Sequence, residues 1–259
     1  MTIFNLTIDH ITALLLIFVR IGAIFLTAPV ISSSRIPLQI RAALSIVIAF
    51  MLQPLVAPGG VHVGDSLFVF ALLLGKEAII GLLIGYAANL IFSIVQMTGE
   101  MQDIQAGYGF AGVVDPNISH GSAILGQFQM VLMWLIFFVV NGHHVMLSAI
   151  ADSFSAVPVG KFNYNPEIAV YMFHLAGTLI LIALRIGAPV IGAVLLTDLA
   201  LGLIQRTAPQ LNLIAVGFQV KTTVAILALM LALPFIVSLQ GGLVPFMNRI
   251  VHDVIAFAR

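Results

Sequence analysis

Residues 107–112, GYGFAG, match the pattern G-x-G-x-x-G, which in dinucleotide-binding proteins lets the backbone approach a pyrophosphate. That chemistry needs a strand before the glycines, a helix that begins on them, and an acidic residue about 20 positions later. The preceding segment 99–106, GEMQDIQA, is polar and predicts no strand, and no Asp or Glu occurs between Asp115 and Asp152. We therefore interpret the match as coincidence and predict no cofactor.

Three ionisable residues lie inside apolar stretches, namely Arg20, Glu77 and Arg185. Such groups are costly in lipid and normally face protein or water. Gly81 and Gly85 follow Glu77 at helical spacing, which predicts a small-residue face that packs closely on another helix. We expect backbone donors or an arginine to satisfy Glu77, because no second acid shares its stretch for a proton relay. Arg20 and Arg185 each begin the tetrapeptide RIGA, which we attribute to chance.

No pattern of catalytic or metal-binding residues emerges elsewhere in the sequence. His143 and His144 are adjacent, so on a helix their rings are expected to diverge, whereas a metal pair prefers a spacing of four residues. The chain has no cysteine, which excludes disulfides, thiolate zinc sites and thiol catalysis. The residues therefore indicate no catalytic site.

Composition places the chain among integral membrane proteins. It is 61% hydrophobic and 8% charged with no net charge, whereas a soluble domain carries about 25% charged residues. A neutral chain also gives no indication of nucleic-acid binding. Six apolar stretches predict an all-α fold of about six long helices, without a cleaved signal peptide: 11–31, 40–57, 67–98, 123–140, 168–196 and 222–240.

The charge pattern does not fix the orientation in the membrane. The first and fifth connections carry basic residues and would both be cytoplasmic. The third connection, 99–122, would share that side, yet it has three acidic residues and no basic one. Two explanations compete for this charge pattern. One is chance variation in a chain with few charges, and the other is that some of the helices do not sit in lipid in the usual way.

The apolar, glycine-rich segment around GYGFAG needs its own explanation. Glycine permits a positive φ and close backbone approach, and DPN at 115–117 is typical of a turn. Tyr108, Phe110 and Val113 are poorly suited to a solvated loop. The loop either folds into a protein interior or pore, or lies on the membrane interface through its aromatic residues.

Three blocks of sequence resemble the FliR family, the flagellar biosynthetic proteins of the type III export gate. One is GE……Q.G..FA…DP from Gly99 to Pro116, the second is RTAPQLNLIAVGFQVK at 206–221, and the third is RIGAIFLTAPVISSSRIPLQIRAAL at 20–44. The resemblance covers nearly the whole chain in matching order. In the virulence-secretion counterparts a basic residue is expected where this chain has Ala106, which favours the flagellar branch.

The resemblance implies a protein that is not an enzyme, together with a fold and a set of partners. One FliR subunit assembles with FliP and FliQ subunits in the bacterial inner membrane, in the flagellar basal body. Together they form the channel for unfolded flagellar proteins, and FlhB wraps its cytoplasmic entrance. The resemblance divides the single membrane domain into a FliP-like part (1–167), a FliQ-like hairpin (168–240) and a C-terminal tail (241–259).

The resemblance also implies roles for particular residues. Loop 106–122 matches the plug that helps close the pore, through Gly107, Tyr108, Gly109, Phe110, Ala111, Gly112, Val113, Val114, Asp115 and Pro116. The cytoplasmic turn would offer partner contacts at Arg206, Pro209, Gln210, Asn212 and Lys221. Arg20, Glu77, Gly81, Gly85 and Arg185 are assigned to helix packing and assembly on the physical grounds given above.

Two other functions compete with a gating subunit. A proton-coupled transporter of small solutes would use Glu77 and Asp198 as relay groups and act without partners. A scaffold would use the 106–122 loop as a fixed assembly contact rather than as a seal.

Overall fold

The computed structural model describes residues 8–29, 31–32, 36–62, 66–108, 124–163, 165–207 and 213–258. Within these residues the regular structure is helical and contains no strand, so the predicted all-α class is confirmed. The helices of the described part are α1 (Ile8–Thr27), α2 (Leu38–Val56), α3 (Leu67–Ala106), α4 (Ile124–Val139), α5 (Gly142–Ala156), α6 (Glu167–Thr207), α7 (Leu213–Gly241) and α8 (Leu243–Phe257).

Several of these helices are long and apolar enough to cross a membrane. In the described part of the chain they number five, or six if the broken pair α4 and α5 forms one span. Each of the six predicted apolar stretches overlaps one of these helices for most of its length. The chain is therefore an integral membrane protein of the predicted kind.

The helices extend further than the apolar stretches predicted. Helix α3 continues through 99–106, which the sequence placed in a connection, and α6 runs on through 197–207. Helix α7 begins at Leu213 rather than near 222. The connections after α3 and α6 are therefore shorter than expected.

Two short helices, α5 and α8, were not predicted. Asn141 adopts a left-handed conformation with φ 58° just before α5, a conformation that asparagine tolerates better than most residues. The expectation that the rings of His143 and His144 diverge is wrong, since their centroids lie 4.4 Å apart. Helix α8 occupies the segment expected to be a tail, and its Asp253 accepts a hydrogen bond of 2.7 Å from the Tyr171 hydroxyl.

The chain divides into two compact units. The first unit comprises Met1–Leu90, Asn141–Phe173 and Pro245–Arg259, and the second comprises Ile91–Val140 and His174–Val244. Helices α3 and α6 each contribute residues to both units. The two units are described separately below.

A buried ion pair lies in the core of the first unit. The Arg20 Nε donates to Glu77 Oε2 at 2.5 Å, and both side chains are fully buried. The Gly160 N–H donates to the other carboxylate oxygen at 2.7 Å. Arg20 also donates to the carbonyl oxygens of Ser153 and Val157 at 3.0 and 2.8 Å, so this one pair joins α1, α3 and the end of α5.

The two glycines that follow Glu77 allow α3 to approach α1 closely. A Cβ atom at Gly81 would lie 2.4 Å from the Arg20 carbonyl oxygen. One at Gly85 would lie 2.1 Å from the Thr27 hydroxyl oxygen. Only glycine fits at these contacts, because real Cβ atoms do not approach other heavy atoms so closely.

We expect removal of either member of the buried pair to destabilise the fold. Glu77→Ala or Arg20→Ala leaves an uncompensated buried charge, which costs about 3–5 kcal/mol. The apolar double variant Arg20→Met with Glu77→Leu is expected to lose much less. The measurement is the temperature at which detergent-solubilised protein loses its monodisperse peak in size-exclusion chromatography.

Glu167→Ala serves as the control for this test, because Glu167 is an exposed acid at the start of α6. The pair has no stabilising role if the single variants at Arg20 and Glu77 lose their monodisperse peak at the same temperature as the wild type and this control.

Candidate functional site: the base of the 106–122 loop

Helices α3 and α4 touch through their backbones where the chain leaves and re-enters the 106–122 loop. A Cβ atom at Gly99 would lie 2.2 Å from the Gly126 Cα, so Gly99 leaves no room for a larger side chain without a shift of the helices. A Cβ atom at Gly126 would lie 3.1 Å from the Asp103 carboxylate, which is a tight contact. Small residues at such a contact let two membrane helices approach closely. We refer to Gly99, Asp103, Gly126 and their immediate contacts as the loop base.

Asp103 fixes the first turn of α4. Its carboxylate oxygens accept hydrogen bonds from the Leu125 and Gly126 N–H groups, both at 3.0 Å, and the residue is 5% exposed. The first N–H groups of a helix have no partner inside the helix, and an anion there is also favoured by the helix dipole. Because Asp103 lies one turn after Gly99, the contact of the backbones brings its carboxylate to these donors.

Two buried amides extend the loop base into the core of the second unit. Gln129 donates from its Nε2 to the Oε1 of Gln102, and both side chains are fully buried. Thr98, one turn earlier on α3, lies with its hydroxyl 3.1 Å from the Ala183 carbonyl oxygen of α6. A layer of polar contacts therefore joins α3 to α4 and α6 inside an otherwise apolar unit.

The start of the loop has a defined backbone conformation. Gly107 has φ 90°, and the N–H groups of Gly107 and Tyr108 donate to the carbonyls of Ile104 and Asp103 at 3.1 and 3.0 Å. This pair of bonds is the Schellman arrangement that ends a helix on a left-handed glycine. Burial, with a smaller effect from the Asp103 carboxylate, raises the pKa of Tyr108, so its phenol stays neutral at physiological pH.

Helix α7 contacts the same point of the chain. The Thr222 hydroxyl donates to the Ala106 carbonyl at 3.3 Å. The Phe218 ring lies 3.1 Å from the position that a Cβ atom would take at Gly107. The start of the loop therefore lies against α7, and the first turn of α4, which follows the loop, lies against α3.

The structure tests the position of few of the predicted plug residues. It describes Gly107 and Tyr108, which lie at the loop base, whereas residues 109–116 lie outside the described residues.

The predicted cytoplasmic contacts are partly described. Lys221 of α7 forms an ion pair with Asp198 of α6, and Arg206 lies exposed in the last turn of α6. Pro209, Gln210 and Asn212 lie outside the described residues.

The residues predicted to pack helices separate into two groups. Arg20, Glu77, Gly81 and Gly85 meet in the first unit. Arg185 lies on α6 in the second unit and is exposed.

The sequence did not single out the residues that hold the loop. Asp103 was counted only as a charge of a connection, and Gly126, Gln129 and Thr222 were not considered. The spacing of Gly99 and Asp103, one helical turn apart, was the available signal, and it has meaning only if α3 continues through them.

Comparison with known proteins places this arrangement in a family. The family described as "Bacterial export proteins, family 1" matches residues 11–245. The chain belongs to this family. The observed helices and loop base are thus those of a bacterial export protein, and the resemblance that the three sequence blocks indicated is confirmed.

Individual relatives of this export protein carry flagellar and virulence names. It is 32% identical to flagellar biosynthetic protein FliR of Bacillus subtilis (strain 168), over 90% of each chain. It is 29% identical to flagellar biosynthetic protein FliR of Escherichia coli (strain K12), over 92% of this chain and 90% of the other. For Yop proteins translocation protein T of Yersinia pestis the identity is 28%, over 83% and 84%. These likenesses support the flagellar branch.

We expect Asp103→Ala to weaken the loop base by about 1–3 kcal/mol, because two buried N–H groups lose their acceptor. Asp103→Asn keeps one acceptor oxygen and is expected to fall between Ala and the wild type. The chain has no native cysteine, so the maleimide labelling rate of Ser122→Cys reports how firmly the end of the loop is held. Labelling should accelerate in the Asp103 variants.

Glu100→Ala is the matched control, since it removes an exposed carboxylate from the same helix, where the partner is Gln96 at 2.9 Å. Equal labelling rates for the Asp103→Ala and Glu100→Ala backgrounds would rule out the capping role.

We expect Gly99→Ala to lower the melting temperature, because the added methyl group forces α3 and α4 apart. Gly202→Ala on α6 is the comparison, since nothing lies within 4 Å of its Cβ position. In open helix surroundings, alanine is more favourable than glycine by about 1 kcal/mol. Opposite shifts of the two variants in the size-exclusion assay support the close contact, and a Gly99→Ala variant as stable as Gly202→Ala argues against it.

Proposed function

We propose that the chain is a subunit of the flagellar type III protein export gate, without enzymatic activity of its own. With FliP and FliQ subunits it forms the channel for unfolded flagellar proteins in the bacterial inner membrane, in the flagellar basal body. The 106–122 loop closes this channel as a plug. Membership of the export family and the names of the relatives support this assignment.

The loop base is the observation that carries the gating part of the proposal. The chain leaves α3 after Ala106 and returns at Ile124, and Asp103 and Gly99 hold the return point against α3. Both ends of the loop are therefore anchored to the same helix. A movable plug needs ends that stay fixed while its tip moves. The contacts of the loop base fix both ends of the loop.

The composition of the loop suits a movable barrier. Phe110, Val113 and Val114 provide apolar side chains that exclude water and ions. Gly107, Gly109 and Gly112 permit backbone rotations that other residues resist. Opening then breaks apolar contacts of the loop while the hydrogen bonds of the loop base stay in place.

The cytoplasmic end of the α6–α7 hairpin is the proposed contact for FlhB. Arg206 is exposed there, and Pro209, Gln210 and Asn212 belong to the connecting segment. Lys221 forms an ion pair with Asp198, so we assign it an indirect role in the FlhB contact: it holds α6 and α7 together.

Packing within the gate is the proposed role of the first-unit cluster. Arg20, Glu77, Gly81 and Gly85 keep α1 and α3 in close contact, which gives the FliP-like part (1–167) a rigid core. The FliQ-like hairpin (168–240) corresponds to α6 and α7. We propose that Glu77→Ala also lowers the recovery of the assembled complex.

The contacts of the two candidate relay carboxylates favour a gate over a proton-coupled transporter. Glu77 is paired with Arg20 and Asp198 with Lys221. Each carboxylate therefore joins two helices of this chain, which is a structural role that a relay group would have to give up.

The test shortens the loop and measures assembly and leakage separately. We expect deletion of 110–114, which keeps Gly107, Tyr108 and the whole loop base, to leave recovery with co-expressed FliP and FliQ unchanged. We expect it to raise ion conductance of the reconstituted complex by at least about tenfold, because the apolar barrier is lost. Single-channel recording in planar bilayers gives the conductance.

Each rival function predicts another result. A scaffold predicts that the deletion abolishes recovery of the complex. A transporter predicts solute or proton flux from liposomes that contain this chain alone. Intact assembly with unchanged conductance would show that the loop is not the seal.

A further inference from the structure

Arg185 lies near the midpoint of the 41-residue helix α6, on a side of the helix that the described residues leave uncovered. Leu181 and Leu184 on the preceding turn are 54% and 47% exposed, and Ala188 is exposed as well. Gly192 continues the same side, and a Cβ atom there would meet nothing within 4 Å. We refer to Leu181, Leu184, Arg185, Ala188 and Gly192 as the Arg185 face.

The opposite side of α6 is packed inside the second unit. Ala183, Ile186, Val190 and Val194 are fully buried. Both sides of the helix are thus apolar, and one of them has no cover from the described residues. A membrane-spanning helix with a single cation in the middle of such an exposed side needs a polar partner, because a charge facing lipid is costly.

The described part of this chain supplies no such partner. The ion pairs found among the described residues join Arg20 to Glu77, His62 to Asp9 and Lys221 to Asp198. The acids of α6 itself are Glu167 and Asp198, which at about 1.5 Å per residue lie roughly 27 and 20 Å from Arg185 along the axis.

Pro189 adds a second polar group at the same place. Proline has no N–H, so it cannot bond to the carbonyl of the residue four positions earlier, which is Arg185. The Arg185 position therefore combines guanidinium donors with a backbone acceptor that the helix itself does not use. Both groups call for polar contacts in an apolar surface.

The contact between α1 and α3 shows how such a partner is arranged. Ala23 and Thr27 follow Arg20 by three and seven residues, and this side of α1 packs on Glu77, Gly81 and Gly85 of α3. Ala188 and Gly192 follow Arg185 by the same two intervals. The two helices share one pattern, an arginine with small residues on its face. Among the described residues a matching helix is found for α1 and none for this side of α6.

We infer that the Arg185 face receives an apolar helix of another gate subunit, one that places an Asp or Glu carboxylate against Arg185. The inference rests on the proposed function, because it needs an assembly with other membrane subunits. Charge complementarity selects the occupant. A second copy of this chain, related by two-fold symmetry about this face, would place Arg185 against Arg185, and lipid tails offer no acceptor.

The experiment compares charge variants in the complete complex, with the chain tagged and co-expressed with FliP and FliQ. We expect Arg185→Gln to lower the recovery of the other subunits by about tenfold or more, because the facing carboxylate is left buried and unpaired. Arg185→Lys keeps the charge and is expected to stay within about threefold of the wild type. Arg249→Gln is the matched control, an exposed arginine on the polar side of α8.

A photoreactive amino acid at Ala188 identifies the occupant directly. Crosslinking to FliP or FliQ, at a peptide that contains an Asp or Glu, supports the inference. A partner variant with Lys at that acid should then restore the recovery lost in Arg185→Glu. Crosslinks only to lipid, to a second copy of this chain or to its own 109–123 segment overturn it.

The two proposals fail in different ways. Normal recovery for both the wild type and Arg185→Gln overturns the inference and leaves the gate function standing. A wild-type chain that recovers no FliP or FliQ overturns the gate function, and the inference fails with it.

Discussion

The position of the 106–122 loop depends on the backbone contact between Gly99 and Gly126. At this contact α3 and α4 come close enough for Asp103 to reach the first N–H groups of α4, and a larger residue at Gly99 would force the two helices apart. In a low-dielectric interior these hydrogen bonds are stronger than in water, and unpaired donors would be correspondingly costly. Gly99 and Gly126 therefore fix the two ends of the loop, although neither residue is part of it.

The same contact explains why the sequence misplaced the end of α3. GEMQDIQA is polar, and a search for apolar stretches assigns such a segment to a connection. In the structure Gln102 and Asp103 are buried, and Gln129 and the first turn of α4 donate hydrogen bonds to their side-chain oxygens. Those partners lie more than 20 residues away in the sequence, so local composition carries no sign of them.

Other features were predictable to differing degrees. Long apolar runs predicted the spanning helices, because a helix that crosses the hydrocarbon core needs about 20 consecutive, mainly apolar residues. Glu77 was expected to find an arginine or backbone donors, yet its pairing with Arg20 crosses 57 residues and follows from packing rather than from spacing. Helix α8 was missed because 15 residues cannot span a bilayer, although its Leu243, Met247, Val251 and Val254 repeat at helical intervals.

The chain contains two modes of helix contact that differ in what they require. In the first unit an arginine, a carboxylate and two glycines come from the same chain, and the contact forms whenever the chain folds. On α6 the arginine and small residues are present without the other half. The chain belongs to a family of bacterial export proteins. A member of an export apparatus needs contacts within its own chain and also contacts with other proteins.

Helices α3 and α6 have 40 and 41 residues. At 1.5 Å per residue each would extend about 60 Å if straight, about twice the thickness of the hydrocarbon core of a bilayer. A newly inserted copy cannot match both helices to the lipid along their whole apolar length, and tilt relieves only part of the mismatch. Apolar surface that extends beyond the hydrocarbon core needs cover from protein, and without that cover it favours aggregation.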